Sequence, residues 1–413
     1  MLVTSFTTNN LKLGLLLEKL YLKQIIIMIV IYYTSTYFLD ISIELINILK
    51  THVQLHVLIE VTPKSKNANI INIDNLPQNK TFIEPKELLS ASDYQHLAPY
   101  FKGTKSTNFL VHPKSNGLSL NAIKTSLAVK DYFNKVKANV IHFDSFSLRT
   151  VGLIPYLWKF KKILLSIHDP VLHSGENNLK NILPRLLSFN FPIKKCFIFY
   201  SKFSQQTFET QYPKNQHSKI SIKMQPYSYY SNFGEINLLA KKHILFFGRI
   251  SIYKGIDILL ASIPDFLKQN KDEVFVIAGK NSNGYQLDQD ILKKFPNNII
   301  VINRYIPNKE LGSLIRNSKF VVCPYLDATQ SGVLMTSYAF NTPVVASSVG
   351  AFPEYIEDNK FGILVKNNNP KELAQKMSEA LNNYKVMSKN LETESFGEGW
   401  AQNRSKLLEA YQV

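Results

Sequence analysis

Residues 243–279 read HILFFGRISIYKGIDILLASIPDFLKQNKDEVFVIAG, and the organisation of the chain follows from how that stretch alternates. The run from His243 to Gly248 is short and rich in aromatic and branched residues, and 274–279 (VFVIAG) is a second such run. Between them, 255–269 spaces its apolar side chains as a helix does, so the stretch predicts strand, helix, strand. The alternation continues through runs at 299–303, 319–325 (KFVVCPY), 343–347 (PVVAS) and 362–365, with helices predicted over 308–317 and 370–383. Upstream, strands are predicted at 25–34, 53–61 (VQLHVLIEV), 140–143, 163–167, 195–200 and 219–224. A polar, aromatic connector (YSYYSNFGEIN) follows Pro226 and separates the two series. Two blocks of βα units predict two doubly wound α/β domains, with ligands expected at the carboxyl ends of the strands. The expected boundaries are 1–24 as an extension, 25–225, a linker over 226–242, 243–385, and a final helical stretch over 386–413.

The 413 residues are 45% hydrophobic and 19% charged, which excludes a disordered chain and is enough for two or three cores. Two cysteines cannot build a disulfide framework or a four-thiolate zinc site. Both sit in apolar runs (Cys196-Phe-Ile-Phe and Phe320-Val-Val-Cys323) and are expected as buried, reduced thiols. The net charge of +17 is uneven: residues 1–225 hold 27 basic and 13 acidic side chains, the remainder 21 and 18. The first half is therefore expected to meet an anionic partner or to carry lysine for solubility. Only six basic residues are arginine, and no zinc-finger, basic-zipper or RNA-recognition pattern occurs, so nucleic acid is not the expected partner.

Segment 11–33 is the most apolar stretch, yet Lys12, Glu18, Lys19 and Lys23 interrupt it. The uncharged run that follows ends at Asp40, short of the ~20 residues that span a bilayer. A signal peptide is not expected, because no positive charge precedes Lys12 and no small-residue cleavage site follows. Ile25–Thr34 reads as a buried strand with Met28 inside it. Residues 1–24 are read as an upstream extension or as a weak interfacial helix, since Leu13, Leu16, Leu17 and Leu20 have helical spacing.

Three loops of the second block carry the chemistry. Gly248-Arg249 ends a strand and Lys254-Gly255 opens a helix, so free amides and two cations are offered to a phosphate, or else form an ordinary surface loop. Cys323-Pro324-Tyr325 ends another strand and leads through Asp327-Ala-Thr-Gln330-Ser331-Gly332-Val333 into a helix. Gly350-Ala-Phe-Pro-Glu354 repeats the arrangement after the next strand. Small polar residues at these junctions let the backbone approach a ligand closely.

In this order, with Pro343-Val-Val-Ala346 and Phe361-Gly-Ile-Leu-Val365, the motifs resemble the family 4 glycosyltransferases over Phe247–Val365. Val140-Ile-His142-Phe and Ile167-His168-Asp169-Pro170…His173-Ser-Gly175-Glu176 extend the resemblance into the first half. It implies a GT-B fold: α/β, two doubly wound Rossmann-like parallel-sheet domains facing across a cleft, the first for the acceptor and the second for a nucleotide-sugar. It implies sugar transfer with retention and no metal or other cofactor. By the same resemblance Arg249 and Lys254 hold the donor diphosphate, with Gly248, Gln330, Ser331, Gly332, Val333 and Glu354 around the donor. Asp327 replaces the first of two family glutamates, and Thr336 or Ser337 stands where the second meets the ribose. Tyr305 and Ile306 are implied at the base. Asp144 matches the family's reaction-centre histidine and joins Arg249, Lys254, Asp327 and His168 as a catalytic candidate. Ser35, Thr36, Asp169 and His173 are the acceptor candidates.

Asp288-Gln-Asp290 has the Asp-x-Asp spacing of a metal site, but it precedes Ile291-Leu-Lys-Lys and reads as the acidic first turn of a helix. No Gly-x-Gly-x-x-Gly or Gly-x-Ser-x-Gly occurs, which removes nicotinamide, flavin and serine-hydrolase readings. The expectation is a cytoplasmic enzyme, peripheral at the inner membrane face, acting on a saccharide or lipid-linked saccharide. A non-catalytic nucleotide-sugar or glycan binder of the same fold is the alternative.

Overall fold

A computed structural model of the chain describes residues 28–65, 70–73, 75–115, 117, 119–171, 179–232, 242–282, 284–366 and 369–412. The expected extension over 1–24 and the acceptor candidate His173 lie outside the described residues.

The first sheet contains β1 (Ile29–Ser35), β2 (Gln54–Val61), β3 (Phe82–Ile83), β4 (Ser106–Val111), β5 (Val140–Phe143), β6 (Lys162–Ile167), β7 (Cys196–Phe199) and β8 (Ser218–Ser221). They lie in the order β3-β4-β2-β1-β5-β6-β7-β8. β4, β2, β1, β5 and β6 pair parallel, and β3 is antiparallel to its neighbour β4. Six of the eight fall on predicted runs. β3 and β4 were not expected: β3 pairs only two residues, and β4 (STNFLV) is apolar only over its last three. Val30, Ile31, Leu55, Val57 and Ile141 are fully buried, as parallel strands covered on both faces require.

The second sheet contains β9 (His243–Phe247), β10 (Phe275–Ala278), β11 (Ile299–Ile302), β12 (Ser318–Cys323), β13 (Val344–Ser347) and β14 (Gly362–Val365), in the order β11-β10-β9-β12-β13-β14. All of its pairings are parallel. Numbered from β9, this is the order 3-2-1-4-5-6 of a doubly wound dinucleotide-type sheet, and its direction of winding reverses between β9 and β12. Helix Ile256–Leu267 and helix Pro370–Thr393 pack over it through Leu259, Leu260, Ile263, Leu373, Met377 and Ala380. The second helix runs ten residues past the predicted end at 383, because Met387 and Leu391 continue its buried stripe.

The chain divides into two compact units: Met1–Ser166 with Leu183–Phe197 and Ala401–Val413, and Ile167–Ile182 with Ile198–Trp400. Residues 198–225, expected with the first domain, group with the second unit. The reason is a set of hydrogen bonds within that unit. Glu354 accepts from Lys202 N (2.9 Å) and Phe203 N, Ser204 Oγ donates to Thr329 O (3.0 Å), and Tyr355 Oη donates to Tyr200 O. In the first unit, Tyr411 Oη lies 2.8 Å from His142 Nδ1, and Ser166 Oγ lies 3.0 Å from His142 Nε2, so the fully buried imidazole is held at both nitrogens.

Candidate functional site

The strand order reverses between β9 and β12, the point at which sheets of this kind bind ligands beyond the carboxyl ends of their strands, and backbone packing draws the three loops of the second unit together there. Gly248 follows β9 with φ of 111°, and Arg249 beside it is exposed, with no ion pair to any described residue. Gly255 has φ of 65°, and a Cβ there would lie 1.7 Å from Pro324 O, so only glycine lets this loop rest on the loop after β12. Leu326 N closes the contact by donating to Tyr253 O at 2.8 Å. The loop after β13 docks in the same manner. A Cβ on Gly350 would come within 1.4 Å of Ala328 O, the atom that accepts from Ala351 N at 3.2 Å.

Lys254 occupies the centre of this packing. Its Nζ donates to Tyr325 Oη at 2.6 Å and stands 4.0 Å from the centroid of the Tyr325 ring and 5.2 Å from that of Tyr253. No carboxylate among the described residues is hydrogen-bonded to it. Desolvation among these rings lowers the ammonium to about 8; Cys323, Asp169 and Asp327 pull it upward, while Arg249 pushes it further down. A cation held this way gains from an anion that replaces lost water.

Around it, the residues after β6 meet the loop after β12. Thr329 Oγ1 donates to Asp169 Oδ1, and Gln330 Nε2 lies 3.0 Å from Nδ1 of the buried His168, whose ring stacks on Tyr200 at 4.8 Å. Gln330 Oε1 is buried with no hydrogen-bond partner among the described residues, an acceptor left for a ligand donor. Ser331 caps helix Gly332–Ala339 by accepting from Leu334 N at 3.3 Å. The Gly332 and Val333 amides, in the first turn, have no carbonyl one turn back to bond. Asp327 is half-buried and acts on Lys254 through space. His168 and Asp169, read from sequence as belonging to the first domain, thus stand in the second unit beside Gln330 and Lys254.

Other candidates are occupied or separate. Ser337 is fully buried and donates to Val333 O at 2.7 Å, so of the two replacements for the second glutamate it is Thr336, also buried, whose hydroxyl is not spent there. Tyr305 and Ile306 follow β11 at the edge of the sheet, Ile306 buried and Tyr305 half-buried. Glu354 turns both oxygens to the first amides of helix Lys202–Gln211, where a carboxylate offsets the helix dipole. Asp288 accepts from Asp290 N and Ile291 N at 2.9 and 3.2 Å, so the Asp-x-Asp is a helix cap. Among the described residues no group of three His, Cys, Asp or Glu gathers to hold a metal ion.

In the first unit, Asp144 and Thr36 are fully buried. Asp144 Oδ2 accepts from Ser42 Oγ at 2.6 Å and from Thr34 Oγ1 at 3.3 Å, and Thr36 Oγ1 donates to Ser65 Oγ at 2.8 Å. Ser35 ends β1, in register with Glu60 on β2. Glu60 is the residue that sequence reading missed. Fully buried, it takes Arg149 Nε on Oε1, with His112 Nε2 at 3.3 Å. Burial holds His112 below the ordinary histidine range, Glu60 opposing and Arg149 adding to the shift. Burial lowers Arg149, but Glu60, with Tyr33 and Tyr37, outweighs that and holds it above its usual range. These residues come from the ends of β2 and β4 and the loop after β5, too far apart in sequence to form a motif.

Residues 241–383 match the family model described as glycosyl transferases group 1. The chain is similar to spore coat protein SA of Bacillus subtilis (strain 168), 27% identical over 191 residues that make 43% of this chain and 50% of that protein. It is also similar to D-inositol 3-phosphate glycosyltransferase of Corynebacterium kroppenstedtii, 26% identical over 181 residues, 41% of this chain and 40% of that one. The chain thus spans half or less of the length of these relatives. Among solved structures, the catalytic domain of starch synthase IV from Arabidopsis thaliana, bound to ADP and acarbose, superposes with a TM-score of 0.62 at 11% identity, covering 94% of this chain and 99% of that one. The fold is GT-B, and the resemblance to the group 1 glycosyltransferases holds over the loops after β9, β12 and β13. No helix of the described residues is long and apolar enough to cross a membrane.

Proposed function

We propose that the protein is a retaining glycosyltransferase that moves a sugar, most simply a hexose, from a nucleotide-sugar to a saccharide or lipid-linked saccharide. One observation carries this reading: Lys254 presents a desolvated ammonium, hydrogen-bonded to no carboxylate among the described residues, near Arg249 on the loop whose Gly248 packs against Val333 in the first turn of helix Gly332–Ala339. That set matches a diphosphate. Gln330 and Asp327 are assigned to the donor sugar and Thr336 to the ribose, with Tyr305 and Ile306 at the base. Acceptor contacts are assigned to His168 and Asp169, which stand beside Gln330 and Lys254 in the second unit. Because Asp144 and Thr36 are spent on internal hydrogen bonds, they are assigned to shaping the first unit.

In the proposed reaction an acceptor hydroxyl attacks the anomeric carbon on the face from which the diphosphate leaves. The new C–O bond forms as the bond to the donor phosphate breaks, and a phosphate oxygen takes the hydroxyl proton. Arg249 and Lys254 stabilise the charge that develops there, without a metal. Losing one such contact raises the barrier by roughly 2.7–4 kcal/mol. The setting proposed is cell-envelope polysaccharide synthesis by a cytoplasmic, membrane-peripheral enzyme. The test is a thermal-shift panel of UDP, GDP, ADP and CDP on the protein and its Arg249→Ala variant. Stabilisation by one nucleotide, lost in the variant, is the expected result. No shift with any of the four removes the donor site. Nucleotide binding without transfer to any acceptor favours the non-catalytic binder, the reading that the missing second glutamate supports.

A further inference from the structure

One layer of the first unit turns an apolar and cationic surface to solvent. Helix Leu120–Val136, segment 151–160 and residues 183–190 of helix Leu179–Asn190 pack side by side in it. A Cβ on Gly152 would lie 2.5 Å from Ser126 Oγ, the Phe133 and Phe160 rings meet at 5.5 Å, and Trp158 meets Phe191 at 5.8 Å. The first helix buries Ala122, Ser126, Val129 and Phe133. Its outer side nevertheless carries Leu120, Ile123 and Leu127, exposed by 77%, 56% and 42% at the spacing of one helical stripe. Trp158 on the next segment is 59% exposed and Leu186 on the third 49%. Scattered exposed apolar residues are ordinary, but a stripe on a helix already packed through another side marks an interaction surface.

Charge identifies what the surface meets. Residues 120–137, 151–162 and 183–195 hold ten lysines and arginines against a single acid, Asp131. Lys124, Lys159, Lys161 and Lys194 are exposed around the apolar positions. A second copy of the chain would set this positive patch against itself. A nucleic acid would meet the cations but offer nothing to Leu120, Ile123 and Leu127, and Arg185 is the only arginine here. An anionic bilayer satisfies both features, with negative headgroups for the lysines and an acyl boundary for the aliphatic side chains and tryptophan.

We propose that this surface seats the protein on an anionic bilayer, with Leu120, Ile123, Leu127, Trp158 and Leu186 entering the interface. The proposal deepens the reading of a membrane-peripheral enzyme by naming the surface, and it does not depend on the transfer chemistry. The full chain is sedimented with phosphatidylglycerol vesicles and with pure phosphatidylcholine vesicles, at low and high salt. Expected are binding to the first only, weakened by salt, and quenching of Trp158 by lipids brominated on their acyl chains, absent from Trp158→Phe. The double variant Ile123→Ser/Leu127→Ser is expected to partition about tenfold or more weaker, while its melting temperature and its stabilisation by nucleotide stay unchanged. No vesicle binding, full binding by the double variant, or quenching that survives Trp158→Phe would overturn the proposal. RNA binding stronger than vesicle binding, or a dimer that the double variant abolishes, would overturn it in favour of those partners. Nucleotide stabilisation is read separately, so failure of the donor site and failure of the membrane surface leave different records.

Discussion

Lys254 donates to a tyrosine hydroxyl 2.6 Å away and sits over that tyrosine's ring, so its ammonium has exchanged water for weak aromatic and hydroxyl contacts. The consequence is a proton held only to about 8. Because the folded value lies below that of a free lysine, the group disfavours the folded state at neutral pH. That penalty is relieved as pH rises from about 8 toward the ordinary lysine value. A bound diphosphate restores the charge, so nucleotide binding is expected to take up a proton near pH 8 and to weaken as pH rises above it. Calorimetry in two buffers of different ionisation enthalpy measures the uptake, and Lys254→Ala is expected to abolish both the uptake and detectable transfer while remaining folded. A folded Lys254→Ala enzyme with undiminished turnover removes the residue from the mechanism. The type of residue was legible from Lys254-Gly255 after a strand, but its environment was not. Tyr325 arrives from a strand end 71 positions away.

At the scale of elements, the site depends on loops that touch through their backbones. Gly350 has φ of 56° and no room for a Cβ against Ala328 O, whereas Gly284 has φ of 75° and nothing within 4 Å. Gly284→Ala therefore carries only the left-handed backbone penalty, roughly 1–2 kcal/mol. Gly350→Ala must in addition move one loop off the other, and it is expected to destabilise by about 2 kcal/mol more and to abolish nucleotide binding. Denaturant unfolding of the two variants makes the comparison; equal losses would show that loop packing contributes nothing. Glu354 teaches the converse lesson. Pro353-Glu354 after a strand resembles a ligand loop, yet its carboxylate caps helix Lys202–Gln211, whose start lies about 150 positions upstream. Local pattern identifies a polar loop, and distant partners decide what its side chain does.

At the scale of the whole molecule, the two units each hold one buried thiol: Cys196 in the first and Cys323 in the second, the latter pushed up to about 12 by burial. Neither is expected to react until its unit opens. Peptide-mapped thiol labelling should therefore be slow in native buffer, and a bound nucleotide at 100 times its Kd is expected to slow Cys323 about a hundredfold while leaving Cys196 unchanged. Prompt labelling of native Cys323, or equal protection of both, defeats this. By itself the sequence determined two doubly wound α/β blocks, twelve of the fourteen strands among the described residues, and the loops rich in glycine and cations. Such features repeat with the short periods of strand and helix and need no distant partner to be recognised. Only the tertiary structure decided which of those loops meet, that His168 and Asp169 join the second unit, and that Asp144 and Thr36 are satisfied internally. It also revealed Glu60, His112 and Arg149 as one cluster. These outcomes depend on hydrogen bonds and close packing between segments tens to hundreds of residues apart, which no local spacing encodes.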